Sequence, residues 1–291
     1  MTTGMAYDPQ ATYQVRAYDV VYRQDDDGIW QARIYQPAGR GPFPALLDVH
    51  GGAWSRGSYT DNERMDQALA ASGLLVAAIS LRQAPQYPYP SQVIDVNYGV
   101  RWLKTHADKF DGDGRVVGAL GTSSGGQTLL LSAMRPRDPR YMTHKSYEPE
   151  PVEATLAYVI AAWPVLDPYA RYLFARDMAR VPLVEASESY FVTQEAMQEG
   201  NPHLALQRGE ALTLPPTLLI QGTADDSVPV AIVPSFADAY GAAGGSIAVE
   251  MFANMPHGFA RNPGPDTDRA LACMKAFIAR QLTRPAGAAA R

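Results

Sequence analysis

The sequence predicts an α/β fold with a mostly parallel, doubly wound sheet of about eight strands and helices on both faces. Residues 44–50 and 74–81 are short, nearly continuous apolar runs, which is typical of strands buried on both faces. Segments with helical spacing of apolar residues alternate with such runs along most of the chain. Before this alternation, two runs of alternating polarity flank the turn sequence Asp-Asp-Asp-Gly at 25–28, which predicts an antiparallel hairpin.

The elements follow one another regularly. The hairpin strands are predicted over 15–22 and 29–35, and 44–50 begins the parallel part. Ser72-Gly73 ends the first helix and Ser91 begins the second. After 44–50 we predict, in chain order, a helix over 61–71, a strand over 74–81, a helix over 91–106, a strand over 116–120, a helix after Ser124, strands over 156–162 and 217–221, a helix over 230–240, a strand over 247–252 and a helix over 266–282.

One segment, 164–214, interrupts the alternation because it contains no predicted strand. It is rich in aromatic residues and is broken by prolines into short helices. An insertion of this length in a compact fold is usually a lid or a binding region. We therefore predict one domain over 1–291 with a lid insertion at 164–214. Three of its arginines, Arg171, Arg176 and Arg180, could bind a carboxylate of the substrate. They lie among acidic residues, however, so a solvated face of mixed charge is the preferred interpretation.

Composition excludes several classes of protein. Hydrophobic residues make up 46% of the chain, charged residues 19%, and the net charge is −5. The chain has no basic block that would indicate a nucleic-acid partner, and it has no apolar run long enough for a membrane helix. The single cysteine, Cys273, excludes an internal disulfide and is expected to be buried. The N-terminus lacks the pattern of a signal peptide, so we expect a cytoplasmic protein. No cofactor or metal is predicted.

A candidate nucleophile follows the strand at 116–120. The sequence Gly121-Thr-Ser-Ser-Gly125 fits G-x-S-x-G, in which a sharp turn between a strand and a helix exposes the central serine. Ser123 is therefore the predicted nucleophile. Ser124 would offer its backbone N–H to an oxyanion at the beginning of the helix.

A serine hydroxyl needs a general base, and the base needs an acid that orients it. For a G-x-S-x-G hydrolase the chain order is serine, acid, histidine. His257 follows the last predicted strand and is the predicted base. The acid is expected after the strand at 217–221, where Asp225 and Asp226 are adjacent and residue chemistry alone leaves both open.

The oxyanion is expected to be bound by the loop after the first parallel strand. There, His50-Gly-Gly-Ala-Trp54 stands where hydrolases with a G-x-S-x-G turn carry a glycine-rich oxyanion loop. Glycine lets the backbone approach a substrate oxygen closely, so the N–H groups of Gly51 and Gly52 are the predicted donors, together with Ser124. His50 is expected to brace the loop.

Together, the loop at 50–52 and the turn at 121–126 resemble those of α/β-hydrolases close to the hormone-sensitive-lipase-type esterases. Residues 81–90, Arg101-Trp-Leu103, Gly222-Thr-Ala-Asp225 and His257-Gly-Phe259 are also similar to segments of that family, and the resemblance spans about 43–280. It favours Asp225 as the acid. It also implies an α/β-hydrolase fold and esterase activity.

The resemblance leaves the substrate open, because Ala53 stands where the oxyanion loop of the esterase family has its third glycine. His-Gly-Gly-x-Trp is also similar to arylformamidases of the kynurenine formamidase type.

We therefore predict a serine hydrolase that cleaves carboxylic esters of small to medium acyl or aryl substrates. An arylformamidase or amidase with the same triad is the alternative, and a non-catalytic binding protein is a third reading. The predicted substrate pocket consists of Ala53, Trp54, Trp163, Tyr169 and Tyr190. The strand at 247–252 is predicted to leave an open sheet edge, so a homodimer is a further expectation.

Overall fold

The computed structural model describes residues 7–26, 28–144 and 152–283. Within them, eight strands form one continuous sheet in the order β1-β2-β4-β3-β5-β6-β7-β8. The strands are β1 (Val15–Asp25), β2 (Gly28–Pro37), β3 (Phe43–Val49), β4 (Leu75–Ile79), β5 (Gly112–Thr122), β6 (Tyr158–Ala162), β7 (Thr217–Gly222) and β8 (Ile247–Phe252). The first two pairings in this order, β1 with β2 and β2 with β4, are antiparallel and all others are parallel.

Helices connect the strands. They are α1 (Glu63–Ala71), α2 (Ser91–His106), α3 (Ser124–Met134), α4 (Pro168–Asp177), α5 (Val181–Phe191), α6 (Gln194–Glu199), α7 (Pro202–Gln207), α8 (Ile232–Ala242) and α9 (Pro265–Leu282), with 3₁₀ turns at Ala107–Phe110 and Phe259–Arg261. The predicted fold class, a mostly parallel eight-stranded sheet with helices on both faces, is confirmed. The predicted helix over 91–106 has the predicted bounds.

The core has two layers because side chains of a strand alternate between the faces of the sheet. In β3, Leu47 and Val49 pack on one face with residues of α2, α3 and α8, whereas Leu46 packs on the other. The second face is covered by α1 and α9, from which Leu69 and Phe277 are buried. Both faces of the central strands are therefore covered, which explains their continuous apolar runs.

The four helices α4 to α7 lie between β6 and β7 and occupy most of the insertion (164–214). They bury a separate apolar cluster, which contains Trp54 from the loop after β3 and Tyr190 from α5. The insertion therefore packs on the carboxyl end of β3, the edge at which ligands bind in open α/β sheets.

Two expectations about surface exposure are corrected. Cys273 is only partly buried, because it lies on α9 between the core-facing Met274 and the exposed side of the helix. Arg171 is buried instead of solvated, and only 3% of its surface is exposed. In the described part of the chain, no helix is long and apolar enough to cross a membrane.

Candidate active site

The turn between β5 and α3 places Ser123 at the amino end of a helix. Its backbone has φ 54° and ψ −122°, a strained conformation for a residue with a side chain. The glycines around it are required by close packing: a Cβ on Gly125 would lie 2.2 Å from the carbonyl oxygen of His50, and one on Gly121 would lie 2.8 Å from that of Gly125. This explains why the predicted turn has glycine on both sides of the serine.

Ser123, His257 and Asp225 are brought together from the ends of three strands. The Ser123 Oγ lies 2.9 Å from His257 Nε2, and His257 Nδ1 lies 2.7 Å from Asp225 Oδ2. Because a carboxylate only accepts hydrogen bonds, the proton on Nδ1 points to Asp225 and Nε2 can accept from the serine hydroxyl. The arrangement can therefore remove a proton from the serine.

The acid is held by more than the histidine. Asp225 Oδ2 also accepts from Gln221 Nε2 at 2.8 Å, and Oδ1 accepts from the backbone N–H groups of Ser227 and Val228 at 2.9 and 3.0 Å. Burial raises the pKa of Asp225, but the hydrogen bonds from His257 and Ser227 outweigh it and hold the pKa below its usual value. The carboxylate is therefore ionised at neutral pH.

The neighbouring Asp226 lies outside this arrangement. Its exposed carboxylate pairs with Arg180 of the insertion and accepts from Ser227 Oγ at 3.1 Å. In this structure, therefore, Asp225 and not Asp226 faces the histidine.

The loop after β3 lies against Ser123. A Cβ on Gly51 would be 2.9 Å from Ser123 Cβ, and one on Gly52, whose φ is +114°, would be 1.9 Å from the carbonyl oxygen of Arg56. Among the described residues, the N–H groups of Gly51, Gly52 and Ser124 donate no hydrogen bond. Three free donors therefore lie near Ser123.

The remaining residues of the loop fix its conformation. His50 is 2% exposed, and its Nδ1 donates to the carbonyl oxygen of Gly51 at 2.7 Å, as a bracing residue would. Burial lowers the pKa of His50, which favours the neutral ring. Ala53 and Trp54 both have positive φ values, 51° and 62°. The Trp54 N–H donates to Ser124 Oγ at 3.3 Å, so the second serine of the turn holds the loop.

The predicted pocket residues differ in position. Trp54 stacks on Tyr190 with ring centroids 5.5 Å apart, and both rings are fully buried. Trp163 is also buried, and its ring lies 6.4 Å from that of His257. Ala53 lies in the same apolar cluster as Trp54, and the partly buried Tyr169 packs against it. Four of the five residues therefore lie in or against the apolar cluster that the insertion buries, whereas Trp163 packs in the core cluster that also contains Phe259.

Two supporting residues were missed by sequence analysis. Gln127 accepts a hydrogen bond from Trp54 Nε1 at 2.9 Å and donates to the carbonyl oxygen of Gly200 at 2.7 Å. Gln221 holds Asp225, as described above. The sequence offers one signal for each residue, which is its spacing from a predicted site residue. Gln127 lies one helical turn after Ser123, and Gln221 lies four residues before Asp225.

No metal centre accompanies the triad in the part of the chain that the structure describes. Within 7–26, 28–144 and 152–283, no three His, Cys, Asp or Glu side chains are grouped so that they could hold a metal ion.

Comparisons with known proteins indicate the family of the chain. The BD-FAE family model matches residues 33–239, more than two thirds of the chain. Esterase LipC of Mycobacterium tuberculosis is 28% identical over 203 residues, which are 68% of this chain and 48% of LipC. The chain thus corresponds to about half the length of that relative.

Solved structures show the same fold. Esterase 2 of Thermogutta terrifontis, in a structure phosphorylated by paraoxon, superposes with a TM-score of 0.72 at 22% identity, over 91% of this chain and 94% of that one. A hyperthermophilic esterase from Pyrobaculum calidifontis superposes with a TM-score of 0.74 at 20% identity, over 94% and 88% of the two chains. The predicted α/β-hydrolase fold and the relation to esterases are confirmed.

Proposed function

The chain belongs to the BD-FAE family, and from that premise we propose that it is a serine hydrolase that cleaves carboxylic esters. The observation that carries the proposal is the hydrogen-bonded series from Ser123 Oγ through His257 to the Asp225 carboxylate. The strained turn at Ser123 supports it, because such strain persists where a reactive side chain must be exposed. The esterase names of the similar proteins agree with it.

In the proposed reaction, Ser123 Oγ attacks the ester carbonyl carbon while His257 Nε2 takes the hydroxyl proton. Asp225 holds the imidazole in the required tautomer and stabilises its positive charge. The tetrahedral intermediate collapses when His257 gives the proton to the leaving alcohol, and an acyl-serine remains. Water, deprotonated by the same histidine, then releases the acid and restores Ser123.

The negative oxygen of the intermediate needs donors that are in place before the reaction. We assign this role to the N–H groups of Gly51, Gly52 and Ser124, which have no other partner among the described residues. The first turn of α3 adds positive potential at the same point.

We assign the insertion (164–214) the role of a lid on the single domain. Its aromatic layer, together with Ala53, Trp54 and Trp163, would limit the substrate to small or medium acyl or aryl esters. A cytoplasmic location, a homodimer and the absence of nucleic-acid partners stay predictions.

The experiment that tests the proposal is turnover of 4-nitrophenyl acetate, butyrate, octanoate and decanoate, with an N-formyl aryl amide for the alternative function. Wild type, Ser123→Ala and Ser124→Ala are compared. We expect ester hydrolysis that Ser123→Ala abolishes, and stoichiometric labelling of Ser123 by paraoxon.

Ser124→Ala is the matched control, because it removes the neighbouring hydroxyl and keeps the backbone N–H. It is expected to keep activity within about tenfold, since it loses one hydrogen bond to Trp54 N–H. Formamide turnover far above ester turnover would establish the arylformamidase instead. A folded wild type that neither turns over these compounds nor reacts with paraoxon would support a non-catalytic binding protein.

A further inference from the structure

Arg171 lies in the interface between the insertion and the oxyanion loop. Its guanidinium carbon is 5.4 Å from the centre of the Trp54 ring. Nη1 donates to Ser187 Oγ at 2.6 Å and to the carbonyl oxygen of Leu183 at 2.8 Å, both on α5. The residue is 3% exposed. A long cationic side chain is thus fixed inside the protein, next to the loop that contacts the nucleophile.

This cation has no counter-ion among the described residues. The Arg171 side chain donates two hydrogen bonds to described residues, both from Nη1, and their acceptors are a hydroxyl and a carbonyl oxygen. The buried Nε has no hydrogen-bond partner. Arg180, on the same insertion, pairs with Asp226. Arginine is rarely buried without a carboxylate, because the loss of hydration of an unpaired charge is strongly unfavourable.

A second cation increases the positive charge at this place. Burial, and then the nearby charge of Arg56, lower the pKa of Arg171 to about 10, so the side chain is still charged at neutral pH. Arg56 is exposed and belongs to the oxyanion loop, where its N–H donates to the carbonyl oxygen of Gly52 at 3.1 Å. Two cations therefore flank the loop.

The position relative to the reacting atoms follows from the contacts of Trp54. Its ring lies beside Arg171, and its N–H donates to Ser124 Oγ, on the residue after the nucleophile. One aromatic residue therefore separates the guanidinium from the elbow turn. A substrate that extends from Ser123 along this loop would bring its distal part towards Arg171 and Arg56.

We propose that the ester substrate carries a carboxylate, and that Arg171, with Arg56, binds it. This inference rests on the proposed esterase function. Nε is buried without a hydrogen-bond partner, and the side-chain hydrogen bonds that Arg171 makes to described residues both come from Nη1. The Nε and Nη2 edge of the guanidinium is therefore left to bind a carboxylate through two parallel hydrogen bonds. The substrate carboxylate then serves as the counter-ion that Arg171 lacks among the described residues.

The test compares anionic esters with their neutral methyl esters. Mono-4-nitrophenyl adipate and its methyl ester place the charge on the acyl side, whereas 4-acetoxybenzoate and its methyl ester place it on the leaving side. In wild type we expect kcat/KM to favour the anionic member of one pair, which identifies the side. Arg171→Gln should lower that anionic-to-neutral ratio by about ten- to a hundredfold, as expected for hydrogen bonds to charged groups.

Controls separate this role from a structural one. Arg176→Gln, on the exposed side of the same helix, should leave the ratio unchanged, and Arg171→Lys should restore part of it. Arg56 is exposed, so Arg56→Gln provides a second test of the positive charge if Arg171→Gln does not fold. This variant should lower the anionic-to-neutral ratio about three- to tenfold.

Three results would overturn the inference: wild type that prefers the neutral ester in both pairs, an equal loss on charged and neutral esters in Arg171→Gln, or an unchanged ratio in Arg56→Gln when Arg171→Gln is unfolded. Failure of the esterase proposal is distinguishable, because 4-nitrophenyl acetate would then not be hydrolysed at all.

Discussion

Asp225 and Asp226 are adjacent, yet we expect Asp225→Asn and Asp226→Asn to differ by orders of magnitude in their effect on kcat. The Asp225 carboxylate accepts four hydrogen bonds, from His257 Nδ1, Gln221 Nε2 and the N–H groups of Ser227 and Val228. All four partners are donors. An asparagine side chain offers one oxygen, so its amide nitrogen must face either the histidine or the two backbone N–H groups.

Both orientations are unfavourable. If the amide nitrogen faces His257, it donates to Nδ1 and the ring proton moves to Nε2, which can no longer accept the Ser123 proton. If it faces the backbone, the N–H groups of Ser227 and Val228 lose their acceptor, at about 1–3 kcal/mol for each buried group. The first orientation keeps those two bonds and is expected to dominate. The wrong tautomer then lowers kcat by about 10³–10⁴, or 4–5.5 kcal/mol in the barrier.

Asp226→Asn is the matched control. That carboxylate is exposed and pairs with Arg180, an interaction that is worth at most about 1 kcal/mol at the surface. We expect kcat to stay within about twofold of wild type and the free energy of unfolding to change by less than about 0.5–1 kcal/mol.

The assay measures kcat on 4-nitrophenyl butyrate and, independently of the substrate, the rate constant of paraoxon labelling. Circular dichroism melting checks that both variants fold. Equal losses in the two variants would refute the reasoning, as would a folded Asp225→Asn that keeps more than a tenth of wild-type kcat.

Three other changes test the loop, the core and the contact with the insertion. Gly52→Ala should lower kcat at least about a hundredfold, because its Cβ would lie 1.9 Å from a carbonyl oxygen and disturb the oxyanion donors, whereas Gly241→Ala, with no atom within 4 Å, should leave kcat unchanged; steady-state kinetics of both variants checks this, and equal kcat values would contradict it. Burial raises the pKa of Asp66 well above its usual value, so the folded state binds a proton that the unfolded state releases above about pH 4, and stability should fall as pH rises. Asp66→Asn should flatten the decrease of Tm between about pH 5 and 8, and a slope equal to that of wild type would contradict this assignment. Gln127→Leu leaves the buried Trp54 Nε1 and a backbone carbonyl without partners and should lower the free energy of unfolding in urea by at least about 2 kcal/mol; a loss below about 0.5 kcal/mol would show that the contact is not needed.

The sheet and the candidate nucleophile could be predicted because their signals are local. A strand covered on both faces must be apolar at every position, so 44–50 is recognisable without knowledge of its neighbours. Ser123 lies in a turn whose glycines are required by contacts within a few residues and with the adjacent loop. His257 followed from chain order.

The supporting residues could not be predicted, because their roles depend on contacts between distant segments. Gln127 joins a tryptophan 73 residues before it to a carbonyl 73 residues after it. Arg171 has acidic neighbours in sequence, and only the packing of α4 on Trp54 shows that it is buried away from them. Sequence alone therefore suggested a solvated face where the structure has an unpaired buried charge.

The oxyanion loop depends on the insertion for its shape. Trp54 has a positive φ, so the loop is held in an unfavourable conformation that costs about 1–3 kcal/mol unless contacts stabilise it. Those contacts are the stacked ring of Tyr190, the Gln127 side chain that also binds the carbonyl of Gly200, and the Ser124 hydroxyl. Two of these three contacts come from the insertion or are fixed by it. Changes in the insertion that alter substrate choice should therefore also alter kcat, because they move the backbone donors as well as the walls around the substrate.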